Sequence, residues 1–88
     1  MHMPSAFTPN KDGKNDVFRV PPGSSITLQR FSVYDRWGHI IFQTSDISKG
    51  WDGTYGGLDL PAGTYIYLVT GTLYDKKVIE KGTITLIR

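Results

Sequence analysis

Gly63–Tyr74, "GTYIYLVTGTLY", is the stretch that settles the fold. Tyr65, Tyr67, Val69 and Leu73 share one parity, while Ile66, Leu68 and Tyr74 share the other. Aromatic and β-branched residues dominate it, which predicts a long central strand that is apolar on both faces. Lys77–Arg88 follows, with Val78, Ile84 and Leu86 on one face and Ile79, Thr83, Thr85 and Ile87 on the other. The short polar step Asp75-Lys76-Lys77 between the two runs predicts an antiparallel hairpin.

Upstream, Ile26–Asp35 also alternates, but the parity slips from Ile26 and Leu28 to Phe31 and Val33. A bulge near Gln29-Arg30 absorbs such a slip. Trp37-Gly38 then turns the chain into His39–Thr44, where Ile40 and Phe42 are expected to share a face. Ser5-Ala6-Phe7 and Val17-Phe18-Arg19 read as short edge strands. No apolar residues repeat at helical spacing over two turns, so helix is absent or a single turn. Six or seven short strands with Gly/Pro turns predict an all-β fold, a small immunoglobulin-like antiparallel β-sandwich.

The 88 residues suffice for one domain with one modest core. Met1-His2-Met3 resembles a leader added to an internal fragment, so residues 1–4 are set apart from a single domain at 5–88. No apolar run approaches the ~20 residues of a membrane span, and no membrane insertion is expected. With no cysteines, disulfides, thiolate metal sites and thiol chemistry are excluded. The net charge is only +2 and the basic residues are scattered apart from Lys76, Lys77 and Lys81. A nucleic-acid binder concentrates such charge on one face, so no nucleic-acid partner is expected.

Catalytic groups are equally sparse. Of the two histidines, His2 lies in the leader and His39 opens a strand, where a rim position is the usual role. No nucleophile elbow or phosphate-cradling glycine loop occurs. Asp35, Asp46, Asp52 and Asp59 each stand beside a glycine or a turn, where carboxylates bind nearby backbone amides. An enzyme is not expected, and no cofactor is implied.

"FTPNKDGKND", Phe7–Asp16, packs Asn, Asp and Gly as densely as a calcium loop. Counted back from Gly13, Asp12 and Asn10 fit the calcium-loop template, but Thr8 replaces a carboxylate and Arg19 occupies the distal Glu position. Lys11 and Lys14 further oppose a dication. The alternative is an ordered turn in which Asn10, Asp12, Asn15 and Asp16 bind backbone amides and Gly13 supplies a positive φ. Trp37 and Trp51, each near glycine turns, are expected to plug the two ends of the sandwich. A sugar-stacking platform is the competing reading.

Four blocks in one order carry a resemblance: "FTPNKDGKNDVF", "FSVYDRWGHIIF", "GWDGTYGGLDLPAGTYIY" and the terminal "KGTITLIR". Together they resemble the gliding-motility-associated C-terminal domain family, the type B sorting domains of the type IX secretion system. Lys11, where the family has Gly, and Asp35, where Asn commonly precedes "RWG", depart from its pattern. The resemblance implies a C-terminal sorting signal whose parent reaches the periplasm by an ordinary signal peptide. An outer-membrane translocon then delivers the parent to the cell surface or the medium. It also implies a PorP/SprF-like outer-membrane partner, and an immunoglobulin-like fold that is monomeric in isolation. Termination at "ITLIR" agrees with a protein C-terminus.

The residues expected to meet the partner are Asn10, Asp12, Gly13, Asn15 and Asp16 in the loop, Arg36, Trp37 and Gly38 in the turn, and Lys81, Gly82 and Arg88 in the last strand. Arg36 is expected to hold neighbouring strands through backbone carbonyls or Asp groups. The edge of Gly82–Arg88 is expected to exchange a strand with the partner. A carbohydrate-binding or adhesion module is the alternative function.

Overall fold

The computed structural model describes residues 3–9, 17–21 and 23–88. All regular structure within them is strand. β1 (Ala6–Phe7), β2 (Thr27–Tyr34), β3 (Ile40–Thr44), β6 (Gly63–Leu73) and β7 (Lys76–Leu86) form one sheet in the order β1-β7-β6-β2-β3. β4 (Thr54–Tyr55) and β5 (Leu58–Asp59) form a separate two-stranded hairpin. The bridged segments at Phe18 and Trp51, with Val20, cover one face of the large sheet and give an all-β, immunoglobulin-like sandwich, with the hairpin carried at the end of the Trp51 segment. The sheet is mixed, because β1 runs parallel to β7 while every other pair is antiparallel.

The predicted central strand is β6, held by β7 on one side and β2 on the other. Its odd residues Tyr65, Tyr67 and Val69 are buried, and Ile66 and Leu68 on the opposite face are half-buried. Across the inner face Tyr65 stands opposite Ile84, and Val69 opposite Phe31. Aromatic rings then fill the space beneath the sheet. Trp51 packs on Tyr65 at 5.0 Å and on Phe7 at 5.4 Å, and Phe18 meets Phe31 and Tyr67, each at 5.4 Å. Such pairs add about 0.5–1.5 kcal/mol each beyond burial, a large share for so small a domain. Met3, within the segment set apart as a leader, is itself a core residue.

The predicted bulge falls between Leu28 and Arg30. A second one does not follow from alternation alone. Between Val33 and Tyr34 the register jumps, so that Val33 opposes Phe42 and Tyr34 opposes Ile40. Ile40 and Phe42 therefore lie on opposite faces rather than sharing one, and Ile41 and Phe42 both pack against the core. The β6–β7 turn also differs from expectation. It is the two residues Tyr74-Asp75, at φ 51° and 64°, while Lys76 and Lys77 already pair with Leu73 and Thr72. Positive φ at both positions matches the right-handed strand twist that a two-residue hairpin requires.

Candidate functional site

The β2–β3 connection, Asp35-Arg36-Trp37-Gly38-His39, is organised by one carboxylate. Asp35 Oδ1 accepts the backbone N–H groups of Trp37 and His39, both at 2.9 Å, and Oδ2 lies 3.1 Å from His39 Nδ1. Gly38 N–H donates to the Asp35 carbonyl at 3.0 Å, and Gly38 turns the chain at φ +84°. Partial desolvation raises the Asp35 pKa, but the hydrogen bonds from His39 and Trp37 outweigh it and hold the carboxyl below its ordinary value.

This pinning throws Trp37 outward. Its side chain is 73% exposed, with the Arg36 guanidinium 5.1 Å from the ring centroid. The expectation that both indoles plug the sandwich is thus corrected: Trp51 is 1% exposed and Trp37 is a surface group. The reason is local, since a turn tied to its own carboxylate leaves the intervening side chain no route into the core. Arg36 has no carbonyl or carboxylate partner among the described residues, where its expected role as a strap is not seen. Strapping the strands falls to Arg88, which donates through Nε to the Leu60 carbonyl and through a terminal nitrogen to the Gly53 carbonyl, both at 2.8 Å.

Facing the turn is the β4–β5 hairpin, which is fixed from two sides. Trp51 Nε1 donates to the Thr54 carbonyl at 3.0 Å, and Asp52 accepts the Thr54 hydroxyl at 2.6 Å. From the other side Arg88 holds both ends, while Leu60 N–H donates to the Gly53 carbonyl at 2.9 Å. The Tyr65 hydroxyl donates to the Pro61 carbonyl at 2.6 Å, and burial pushes its pKa up. Between turn and hairpin lies a cleft of about 320 Å³, its walls including Arg36, Trp37, His39, Tyr55, Leu60 and Tyr65. Tyr55 is 57% exposed, and its strand partner Leu58 is 73% exposed.

The expected site residues separate into groups. Arg36 and Trp37 line the cleft, Gly38 turns the chain beside them, and Arg88 supports the far wall. Arg36 also borders a shallower hollow of about 440 Å³ with Thr64, Ile66 and Thr83, which connects the turn to β7. Lys81 and Gly82 lie farther along β7, opposite Leu68 and Tyr67. Asn10, Asp12, Gly13, Asn15 and Asp16, with the turn and calcium readings of their loop, lie outside the described residues.

Asp46 and Asp52 do bind turn amides, at Ser48 and Thr54, as turn carboxylates are expected to. Asp59 instead faces Arg88 at 3.9 Å. Tyr55 and Leu58 escaped the sequence reading. The signal available was a pair of large apolar residues flanking Gly56-Gly57, a turn too tight to bury them both.

The last strand requires a correction as well. Its terminal edge is occupied: Thr85 N–H donates to the Ser5 carbonyl and Ile87 N–H to the Phe7 carbonyl, each at 3.0 Å. β1 therefore caps the end of the segment expected to offer a free edge, and the uncapped part of β7 lies upstream.

Comparison with known families agrees with the sequence resemblance. The CHU_C type IX secretion signal domain model matches residues 1–86, and the chain belongs to that family. It is a sorting domain that engages the type IX secretion machinery and marks a protein for export to the cell surface or the medium. No curated protein and no solved structure matches the chain.

Proposed function

We propose that the domain acts without catalysis, as a stiff label gripped at the cleft end. A PorP/SprF-like outer-membrane component of the translocon reads Arg36, Trp37 and Gly38 together with Tyr55 and Leu58. The parent protein reaches that component from the periplasm, and the loop carrying Asn10, Asp12, Gly13, Asn15 and Asp16 adds to the recognised shape. The observation that carries this reading is the exposure of Trp37 and Tyr55 on a cleft whose two walls are held by internal hydrogen bonds, with exposed Leu58 paired beside Tyr55. Trp, Tyr and Arg dominate binding hot spots, and a preorganised surface loses little entropy on docking.

The test is a secreted reporter fused to the domain in a competent host. Trp37→Ala and Arg36→Glu should leave the reporter in the periplasm while the domain stays folded. Export at the unmodified level by both variants would remove the cleft from the recognised surface. The exposed Trp37 also gives the carbohydrate reading its best foothold. That reading requires measurable glycan binding by the isolated domain, lost with Trp37→Ala.

A further inference from the structure

β7 pairs with β6 along its whole length, from Lys76 opposite Leu73 to Leu86 opposite Gly63, without a register break. Along a strand the backbone groups of successive residues point to opposite sides. Because Thr85 and Ile87 donate outward to β1, the N–H and C=O groups of Lys77, Ile79, Lys81 and Thr83 also face outward. Among the described residues no strand pairs with them. Their side chains share the sheet face away from the core, where Ile79 is 71% exposed between Lys77 and Lys81.

This edge discriminates among strands. A second copy added antiparallel and centred on Ile79 would set Lys77 against Lys81 twice over, and like charges directly opposed are destabilising. Lysines placed this way discourage sheet edges from pairing with themselves. A strand with acidic residues at those two positions and a β-branched residue between them matches both the charge and the apolar centre. Glu80 lies on the opposite face of β7 and does not oppose it.

We propose that the Lys77–Thr83 edge receives an extended segment of the secretion machinery whose alternate residues read acidic, β-branched, acidic. The proposal rests on the sorting role, and the edge is a second contact distinct from the cleft. The probe is a synthetic peptide Thr-Glu-Thr-Val-Thr-Glu-Thr, compared with a twin carrying Lys in place of both Glu. The acidic peptide should shift the amide signals of Ile79, Lys81 and Thr83. It should also slow their hydrogen exchange about tenfold at saturation, because those amides become hydrogen-bonded. The double variant Lys77→Glu/Lys81→Glu should reverse the preference, favouring the lysine twin by about fivefold. Ile79→Pro removes only an outward N–H and should abolish binding of either peptide.

Equal response to the two peptides, shifts confined to other strands, or self-association of the domain would each overturn the proposal. In cells, Lys77→Glu/Lys81→Glu should lower reporter export while Lys49→Glu does not. If the double variant exports normally although deletion of the domain stops export, the edge is wrong and sorting stands. If the unmodified fusion is never exported, the sorting reading itself falls.

Discussion

The Tyr67 ring lies across Gly82 on the neighbouring strand, so closely that a β-carbon at Gly82 would stand 2.7 Å from the tyrosine oxygen and 2.9 Å from two ring carbons. Tyr67 is buried and its ring also packs on Phe18, so it has little room to yield. Gly82→Ala should destabilise the domain by about 1–3 kcal/mol, the usual cost of overpacking. Urea unfolding measures this, and shortening Tyr67 to Leu in the same chain should recover part of the loss.

Arg88 reaches two carbonyls that close the β4–β5 hairpin. Arg88→Ala should cost about 1–2 kcal/mol, because the hydrogen bonds are charge-assisted but partly solvated. Exchange of the Leu60 amide should accelerate more than that of the β6 amides. Arg88→Lys should restore little, since a single ammonium lacks the fork that spans both oxygens.

The two tryptophans should respond oppositely to truncation. Trp51→Ala removes the ring that joins Phe7, Tyr65 and the hairpin, and should cost about 3–5 kcal/mol, enough to unfold much of the population. Trp37→Ala should change stability by less than about 0.5 kcal/mol. Thermal melts compare them directly. A large loss for Trp37→Ala would mean that the turn depends on the indole and not on Asp35.

Asp35 gives the turn its pH response. Its folded pKa is depressed by hydrogen bonds that outweigh desolvation, so the stability it contributes is present above the ordinary carboxylate value near ~4 and is lost as pH falls through the lower folded value. Asp46, lowered by its bonds to Ser48, contributes with the same sign. Stability should therefore decline on acidification below about pH 4, and Asp35→Asn should flatten that slope. Chemical denaturation at a series of acidic pH values tests it.

Tyr74 and Asp75 hold positive φ without being glycine, a conformation that costs an ordinary side chain about 1 kcal/mol. Replacing them with Asn-Gly should raise stability by about 1 kcal/mol and Tm by about 4–8 °C. Tyr74 is 81% exposed, so nothing in the core opposes the change.

Much of this architecture is legible in alternation. β6 and β7 declare themselves because their inner faces need large apolar residues at every second position, and the parity slip before Phe31 locates the first bulge. The second bulge was hidden, because Ile40, Ile41 and Phe42 are all apolar and mask the jump in register. Side-chain destinations at turns were harder still. Trp37 and Trp51 have similar glycine-rich surroundings, and only the backbone bonds collected by Asp35 send one outward while the Phe18 bridge draws the other in. The reach of Arg88 to the Leu60 and Gly53 carbonyls was equally hidden, since reach depends on where a strand ends and not on the neighbouring letters.

The parallel pairing of β1 with β7 also governs how the domain bears load. A pull applied at the two ends of this sequence draws β1 and β7 in opposing directions along their shared axis, so the Ser5–Thr85 and Phe7–Ile87 hydrogen bonds are sheared together and do not peel apart one by one. Tension between the two ends therefore meets these bonds in parallel rather than in sequence.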